Sequence, residues 1–154
     1  MTRTELRTAG GDLDLLGLSG AALDDLYRSG TASTIPTGTG AGTGIFIPGR
    51  RAGRVLAKVA SLTAWQGKVI DSDGTQLVNL ISPLRLRAVR AKVYQGDSWF
   101  DHAPCIVIDY SRTSLIAPWV HDEIREIAPG LFLGLVYLRR RKLPLRFVLD
   151  FTAA

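Results

Sequence analysis

The chain has 154 residues, the usual size of one domain, and a chain of this length can bury an ordinary apolar core. Its 19 basic and 14 acidic residues give a net charge of +5, which falls short of the basic character typical of nucleic-acid-binding domains. The single cysteine excludes an internal disulfide, and no apolar run approaches the ~20 residues of a membrane-spanning helix. We therefore expect one soluble domain without a signal peptide, located in the cytoplasm.

The first third of the chain predicts mostly helical and irregular structure. Ser19 is a typical helix N-cap residue, and apolar residues recur after it at helical spacing. Helical spacing returns after Gly49, with Arg and Lys side chains on the opposite face. The predicted elements are, in chain order, a flexible leader over 1–18, a helix from Ser19 to Arg28, a flexible Thr- and Gly-rich connection over 31–44, a strand at 45–47 and a helix from Arg50 to Thr63.

Strand signals dominate the rest of the chain, where apolar runs are separated by turn residues. The apolar alternation of the third of these strands changes parity near Ala88, which predicts a β-bulge. Pro118 suits the first turn of a helix that interrupts the strands. The predicted elements are strands at Lys68–Asp71, Thr75–Ile81, Leu84–Tyr94, Cys105–Tyr110, Leu131–Leu138 and Leu145–Phe151, a helix from Pro118 to Ile127 and a basic hairpin turn over Arg139–Lys142.

Together these elements predict a mainly β fold. About seven strands joined by short turns favour a small antiparallel barrel, strongly bent or closed, with two or three flanking helices. The segment Leu131–Leu138 is apolar at both parities, which is typical of a central strand covered on both faces. No repeat or linker divides the chain, so we expect a single barrel domain over 19–154.

The familiar motifs of cofactor and metal sites are missing from the sequence. The alternating glycines of 38–44 precede a strand, whereas a phosphate-binding loop must open a helix. His102 and Cys105 have ligand-like spacing but lack the second pair that a zinc site needs. No nucleophile elbow or P-loop occurs, and Cys105 lies in an apolar strand, where thiols are usually inert. We therefore expect neither a metal nor a cofactor.

One carboxylate is conspicuous in the helix predicted over 118–127. On a helical wheel, Glu123 falls in the middle of the apolar side that Trp119, Val120 and Ile124 define. A buried ionised carboxylate is costly unless donors or a cation compensate it. Glu123 is therefore either a structural tie to an Arg or a Tyr hydroxyl, which is the favoured alternative, or a catalytic acid or base facing a cavity.

Asp109, Tyr110 and Arg112 lie where an apolar strand ends, and they complete the predicted site. Because neighbours on a strand point to opposite faces, at most one of Asp109 and Tyr110 can face a given cavity. We expect both as catalytic candidates beside Glu123, although an Asp at a strand end more often accepts turn amides. Arg112 would bind substrate, together with aromatic residues that are otherwise core: Trp65, Tyr94, Trp99 and Trp119.

Three segments carry a resemblance to known proteins: WQGK at Trp65–Lys68, DYSRTS at Asp109–Ser114 and DEIREIAPGLFLG at Asp122–Gly134. They resemble segments of a group of small uncharacterised bacterial proteins, which implies no particular activity. The chain also resembles the lipocalin-like, or calycin, class of small barrels. That resemblance implies a cavity for a hydrophobic ligand, although a fold alone does not fix a function.

Three functions follow, in order of preference. The first is a small-molecule-binding barrel that acts as a cofactor-independent enzyme on a largely apolar organic substrate, by isomerisation, cyclisation or elimination, with Glu123 as acid or base. The second is a non-catalytic carrier or sensor with the same cavity. The third is binding of nucleic acid or another anionic surface through a basic face, formed by the basic turn and the Arg/Lys side of the third strand, neither of which has the interleaved aromatics that such binding usually adds. The oligomeric state stays open, a homodimer included.

Overall fold

The computed structural model describes residues 6–8, 11–13, 15–46, 65–81, 86–111 and 119–152. These ranges contain ten strands, one α-helix and a 3-10 turn. The elements are β1 (Leu6–Thr8), β2 (Gly11–Leu13), the 3-10 turn (Leu15–Gly17), α1 (Gly20–Ser29), β3 (Gly38–Phe46), β4 (Trp65–Ile70), β5 (Gln76–Ile81), β6 (Leu86–Asp97), β7 (Pro104–Asp109), β8 (Val120–Ala128), β9 (Leu131–Leu138) and β10 (Arg141–Asp150).

Strands β3 to β10 form a closed barrel in which each strand pairs antiparallel with the next along the chain. Strand β10 closes the barrel by pairing with β3, for example through Phe147 and Gly44. The predicted mainly β antiparallel barrel is therefore confirmed, and of the two predicted alternatives, strongly bent or closed, it is the closed one. The barrel has eight strands instead of about seven, and the described ranges contain one α-helix instead of two or three.

Strand β3 replaces most of the flexible connection predicted over 31–44. Its alternating glycines lie on the inner face, where a Cβ on Gly42 would collide with the Trp65 ring and one on Gly40 would come within 2.7 Å of Phe151 Cζ. Gly40 and Gly42 are thus needed because large aromatic rings pack directly against them. The prediction was wrong because the sequence shows where glycines lie but not which side chains pack against them.

Strand β8 replaces the helix predicted from Pro118 to Ile127. Its inner-face residues, including Ile124, pack inside the barrel, and its outer-face residues are also buried. A strand covered on both faces shows no contrast between an apolar and a polar face. Several buried side chains of β8 are charged and paired with remote residues. From the sequence, these charged residues predicted the exposed face of an amphipathic helix.

Several local predictions are confirmed. The bulge predicted near Ala88 occurs at Val89, where the β5–β6 register shifts and φ is +56°. Strand β9 matches its predicted bounds, while β10 begins earlier than expected, so the turn before it is the two residues Arg139 and Arg140. A hairpin whose strands pair from Leu138 to Arg141 leaves only two residues for the turn.

Helix α1 begins where the sequence predicted, because the Ser19 hydroxyl accepts the Ala22 amide as an N-cap. The helix predicted from Arg50 to Thr63 lies outside the described residues. Within the predicted leader, β1 and β2 pair as a short hairpin, and the flexibility of the leader stays a prediction. None of the helices in the described ranges has the length and apolar character that a membrane crossing requires.

Two apolar layers hold the structure together. The layer inside the barrel consists of Ile70, Leu77, Ala91, Val93, Ile106, Ile108, Tyr110, Ile124, Phe132, Phe147 and Leu149. In the second layer, α1 covers the outside of β8, β9 and β10 through Leu23 and Tyr27, with Leu15 beside them. Because both the inner and the outer faces of these strands are covered, apolar surface is removed from water on each side. It also leaves charged side chains buried on both sides.

Candidate functional site

A cluster of polar side chains lies inside the barrel, among the apolar residues of the inner layer. Lys68 on β4 and Asn79 on β5 are cross-strand partners, and Asp122 on β8 reaches the same place from the other side of the barrel. Tyr110, directly after β7, completes the cluster, and Trp65 borders it. We call Lys68, Asn79, Tyr110 and Asp122 the inner cluster.

Lys68 is the centre of the inner cluster. Its Nζ donates to Asn79 Oδ1 at 2.8 Å, to Tyr110 Oη at 2.7 Å and to Asp122 Oδ2 at 3.2 Å. An ammonium has three donors, and these three bonds use all of them. The Asn79 amide donates to Val89 O and Tyr110 Oη, and its carbonyl also accepts the Trp65 indole N–H at 3.1 Å.

One oxygen atom of this cluster has no hydrogen-bond donor among the described residues. Asp122 Oδ1 is buried, and none of the described side chains or amides donates to it. The other oxygen, Oδ2, is held by Lys68 and by the Tyr110 hydroxyl at 3.4 Å. The carboxylate is therefore fixed through one oxygen while the other keeps its acceptor capacity.

Burial and charge act in opposite directions on these groups. Burial raises the pKa of Asp122, and the Lys68 ammonium offsets part of that rise. Burial alone would lower the pKa of Lys68, but the neighbouring Tyr110 and Asp122 outweigh it, and the pKa is raised. Burial likewise raises the pKa of Tyr110, against the opposing effect of Lys68. The ammonium is thus retained, while the carboxylate takes up a proton more readily than in water.

Glu123 lies on the opposite face of β8, beneath α1, and is fully buried. Its Oε1 accepts from Tyr27 Oη at 3.1 Å and from Ser98 Oγ at 2.5 Å. Its Oε2 accepts the Trp99 amide at 2.6 Å and lies 3.0 Å from His121 Nε2. A carboxylate has about four acceptor positions, and these four groups fill them.

These contacts also explain the electrostatics of Glu123. Burial alone would raise the pKa of Glu123, but hydrogen bonds from His121, Ser98 and the Trp99 amide outweigh it and hold the pKa below its usual value. Because an ionised carboxylate only accepts, the bond to His121 requires the proton on Nε2. Glu123 therefore ties together α1, the 98–103 loop and the outer wall of the barrel.

A shallow pocket of about 240 Å³ opens on the outer surface beside this tie. Four of the residues that the sequence predicted for the site line it: Tyr94, Trp99, Asp109 and Trp119. His121 forms its floor, with its ring stacked on Trp99 at a centroid distance of 3.6 Å. Burial alone would raise the pKa of Asp109, but hydrogen bonds from Ser111 and from Tyr94 outweigh it and lower the pKa.

The predicted site residues therefore lie in three separate places. Tyr110 and Trp65 are inside the barrel, the aromatic pocket is outside, and Glu123 is buried between the wall and α1. Asp109 and Tyr110 point to opposite faces, as their neighbouring positions predicted. Arg112 lies outside the described residues. No three His, Cys, Asp or Glu side chains converge as metal ligands in the ranges that the structure describes.

Sequence reasoning missed three residues of the inner cluster: Lys68, Asn79 and Asp122. The helical assignment of 118–127 turned Asp122 away from the core, whereas strand alternation places it opposite Glu123. A usable signal existed, because Lys68 has the same parity as Ile70, so a strand that buries Ile70 also turns Lys68 inward. An inward Lys on a barrel strand requires a buried partner, and Asp122 is the acid that supplies one.

Fold and site together define a closed eight-stranded antiparallel barrel with a charged cluster inside. No protein-family model matches the chain, and no curated protein matches it. Among solved structures, the crystal structure of a protein from Thermomonospora curvata is similar, with a TM-score of 0.59 and 13% identity over 86% of this chain and 88% of that chain. At this identity the likeness shows the fold alone. A barrel is consistent with the lipocalin-like class, and the resemblance to the bacterial group stays a prediction.

Proposed function

We propose that the protein binds a small, largely apolar organic molecule inside the barrel and that Asp122 exchanges a proton with it. The observation that carries this proposal is Asp122 Oδ1, a buried acceptor without a donor among the described residues. An unpaired buried polar group costs about 1–3 kcal/mol. A bound donor group at this oxygen would remove that cost, so the folded barrel favours a ligand that carries one.

The surroundings of Asp122 favour an apolar body for this ligand. Its cross-strand neighbours are Ile108 on β7 and Val136 on β9, and Ile124 follows on the same face of β8. Ligand sites usually combine many apolar contacts with a few polar groups that fix orientation. A hydroxyl or an acidic C–H placed at Asp122 Oδ1 would leave the rest of the molecule against aliphatic side chains.

The inner cluster has the parts that proton transfer needs. Lys68 and Tyr110 hold Oδ2, so the free oxygen has a fixed direction. A raised carboxyl pKa brings the acid and base forms closer to neutral pH, where a group can both take and return a proton. In the proposed step, Oδ1 takes a proton from one atom of the substrate and returns it to another. An isomerisation or cyclisation of this kind consumes no co-reactant.

This proposal assigns the role of acid or base to Asp122 instead of Glu123, which was the first candidate. The acceptor positions of Glu123 are filled by four protein groups, and its lowered pKa favours the ionised form. It therefore suits a positioning role in the wall of the barrel. The same binding inside the barrel without turnover would make the protein a carrier, and the experiment below separates the two functions.

The first measurement is native mass spectrometry of the purified protein beside its denatured mass, to find a small molecule that unfolding releases. We expect such a molecule in the wild type and in Asp109→Asn, which changes the outer pocket, and its loss in Asp122→Asn. Titration with the apolar fluorophore N-phenyl-1-naphthylamine gives an independent readout, with competition between the probe and the released molecule.

Turnover is tested by incubating the released molecule with protein in D₂O and measuring deuterium uptake. Uptake that requires Asp122 supports the enzyme, and tight binding without uptake assigns the carrier. The proposal fails if the protein carries no molecule and does not bind the fluorophore, or if Asp122→Asn binds as the wild type does. In that outcome Asp122 is a structural member of the core.

A further inference from the structure

The hairpin between β9 and β10 carries an exposed surface of mixed apolar and basic character. Trp119 is 55% exposed, Leu138 39% and Trp99 37%, and exposed apolar side chains that cluster in one place mark interaction sites. All three lie beside the Arg-rich turn: Leu138 precedes it, Arg139 donates its backbone N–H to Trp119 O at 3.1 Å, and Arg140 lies over the Trp99 ring. We call the following residues the hairpin patch: Trp99, Trp119, Leu138, Arg139, Arg140 and Arg141.

The turn itself uses residues that its backbone does not favour. Arg139 and Arg140 have φ of +50° and +68°. A two-residue hairpin turn with positive φ at both positions is usually Asn-Gly or Gly-Gly, because other side chains are strained there. Two consecutive arginines in this strained conformation indicate a functional role for their side chains in addition to closing the hairpin.

The two guanidinium groups are held over indole rings. Arg139 Cζ lies 4.8 Å from the ring centroid of Trp119, and Arg140 Cζ lies 4.9 Å from that of Trp99. Ion pairs to described carboxylates exist for Lys142 and Arg146, which both bind Asp24. None of the described carboxylates forms an ion pair with the arginines of the hairpin patch, so their charge is uncompensated in this part of the chain.

We propose that the hairpin patch docks the protein onto an anionic lipid bilayer. Arginines at the tip match the negative charge of lipid headgroups, each near-surface basic residue adding to the attraction. Trp is enriched at the boundary between headgroups and hydrocarbon, where Leu138 would also bury its exposed side chain. This surface is separate from the inner cluster, so the docking proposal stands or falls independently of the proposed function.

A nucleic-acid strand fits the same surface less well. His121 stacks on one face of Trp99, so Arg140 over the ring covers the other face, and no base can stack there. Asp97 and Asp109 line the same pocket as Trp99 and Trp119, so they would repel a phosphate chain that entered this pocket. Docking on a bilayer uses the arginines of the turn, Leu138 and the exposed part of Trp119, and it inserts no phosphate into the pocket.

The test is cosedimentation of the full chain with phosphatidylcholine vesicles, with or without phosphatidylserine. We expect binding only with phosphatidylserine, weakening as salt is added. Arg139→Gln with Arg140→Gln should lower vesicle affinity about tenfold or more, since each charge contributes separately. Trp119→Ala should also weaken binding but leave its salt dependence unchanged.

A matched control is Arg90→Gln with Lys92→Gln, which changes the net charge equally on β6, two strands away from β8. It should retain vesicle affinity, and unfolding midpoints should confirm that both variants are folded. The proposal is overturned if phosphatidylserine vesicles do not sediment the protein, or if the control pair loses as much affinity. Tighter binding to a single-stranded oligonucleotide than to these vesicles would also overturn it.

Discussion

Replacing Glu123 by Gln tests the wall of the barrel most directly, because the change keeps the shape and removes the charge. A Gln side chain can turn its amide toward Tyr27 and Ser98, whose hydroxyls can accept, and its oxygen toward Trp99 N–H and His121. All four bonds then survive as neutral ones. Hydrogen bonds to a charged group contribute about 1.5–3 kcal/mol each and neutral ones about 1 kcal/mol.

Over four bonds these values give a loss of about 2–8 kcal/mol, and the smaller cost of burying a neutral amide offsets part of it, so we expect Glu123→Gln to lower the free energy of unfolding by about 2–4 kcal/mol. For a domain of this size that corresponds to roughly 5–10 °C in Tm. Glu123→Ala should cost more, because it leaves the buried Ser98 hydroxyl and the half-buried Trp99 amide without their acceptor. Urea unfolding followed by tryptophan fluorescence measures both changes, since Trp99 itself lies against the tie.

The effect should depend on pH with a defined sign. A carboxyl with a lowered pKa in the folded state stabilises the fold above its unfolded pKa of ~4.3 and loses that contribution as pH falls through the folded value. The difference in unfolding free energy between wild type and Glu123→Gln should therefore be full at neutral pH and shrink below about pH 4.

Glu126→Gln is the matched control, because Glu126 is only half-buried and accepts one backbone N–H, from Gly130 at 3.3 Å. It should change stability by no more than about 0.5 kcal/mol. A double-mutant cycle of Glu123→Gln with Tyr27→Phe should show coupling, since the two side chains are in contact. If Glu123→Gln unfolds like the control at neutral pH, the Glu123 carboxylate does not stabilise the wall of the barrel.

Three further changes probe the packing of the barrel. Gly42→Ala should lower stability by about 1–3 kcal/mol, because its Cβ would meet the Trp65 ring, and thermal unfolding measures the loss. Arg125→Lys should lower it by about 2 kcal/mol in urea unfolding, because Lys cannot make the two-pronged contact with Asp101. Burial raises the pKa of Cys105 to about 12, so a disulfide reagent at pH 8 should modify this thiol only after unfolding.

Each of these changes has a control or a contradicting result. Gly96→Ala should cost less than Gly42→Ala, since its Cβ would approach no nearer than 3.3 Å, to a Val107 methyl group. Arg28→Lys alters an exposed ion pair and should change stability by only a few tenths of a kcal/mol, on the order expected for surface pairs. Rapid modification of Cys105 in the folded protein would contradict its burial.

Local sequence features predicted the parts of the fold that local physics decides. Ser19 caps α1 because a hydroxyl at that position satisfies a free amide, whatever the helix packs against. The parity change near Ala88 predicted the bulge, because alternation is a property of the strand itself. The doubly apolar run Leu131–Leu138 became β9, buried on both faces. These signals were enough to predict an antiparallel barrel.

Tertiary packing decided the segments whose local pattern was ambiguous. From the sequence, the glycines of β3 predicted a flexible connection. In the structure they form a strand, because the rings of Trp65 and Phe151 fill the space beside them. The charged segment of β8 was predicted as a helix, because the partners that allow its charged side chains to be buried lie far away in the chain. Neither pattern has a local energetic preference strong enough to determine its conformation.

The sequence by itself predicted a buried Glu123 tied to an Arg or to a Tyr hydroxyl, although the helix from which this was argued is the strand β8. Only the tertiary structure decided that the partner is Tyr27, 96 residues away, and that Lys68 meets Asp122 across 54 residues inside the barrel. The physical reason is that burying a charge is costly alone and tolerable only beside its partner. Such pairs form when the barrel closes, so they belong to the assembled fold and to no segment of it.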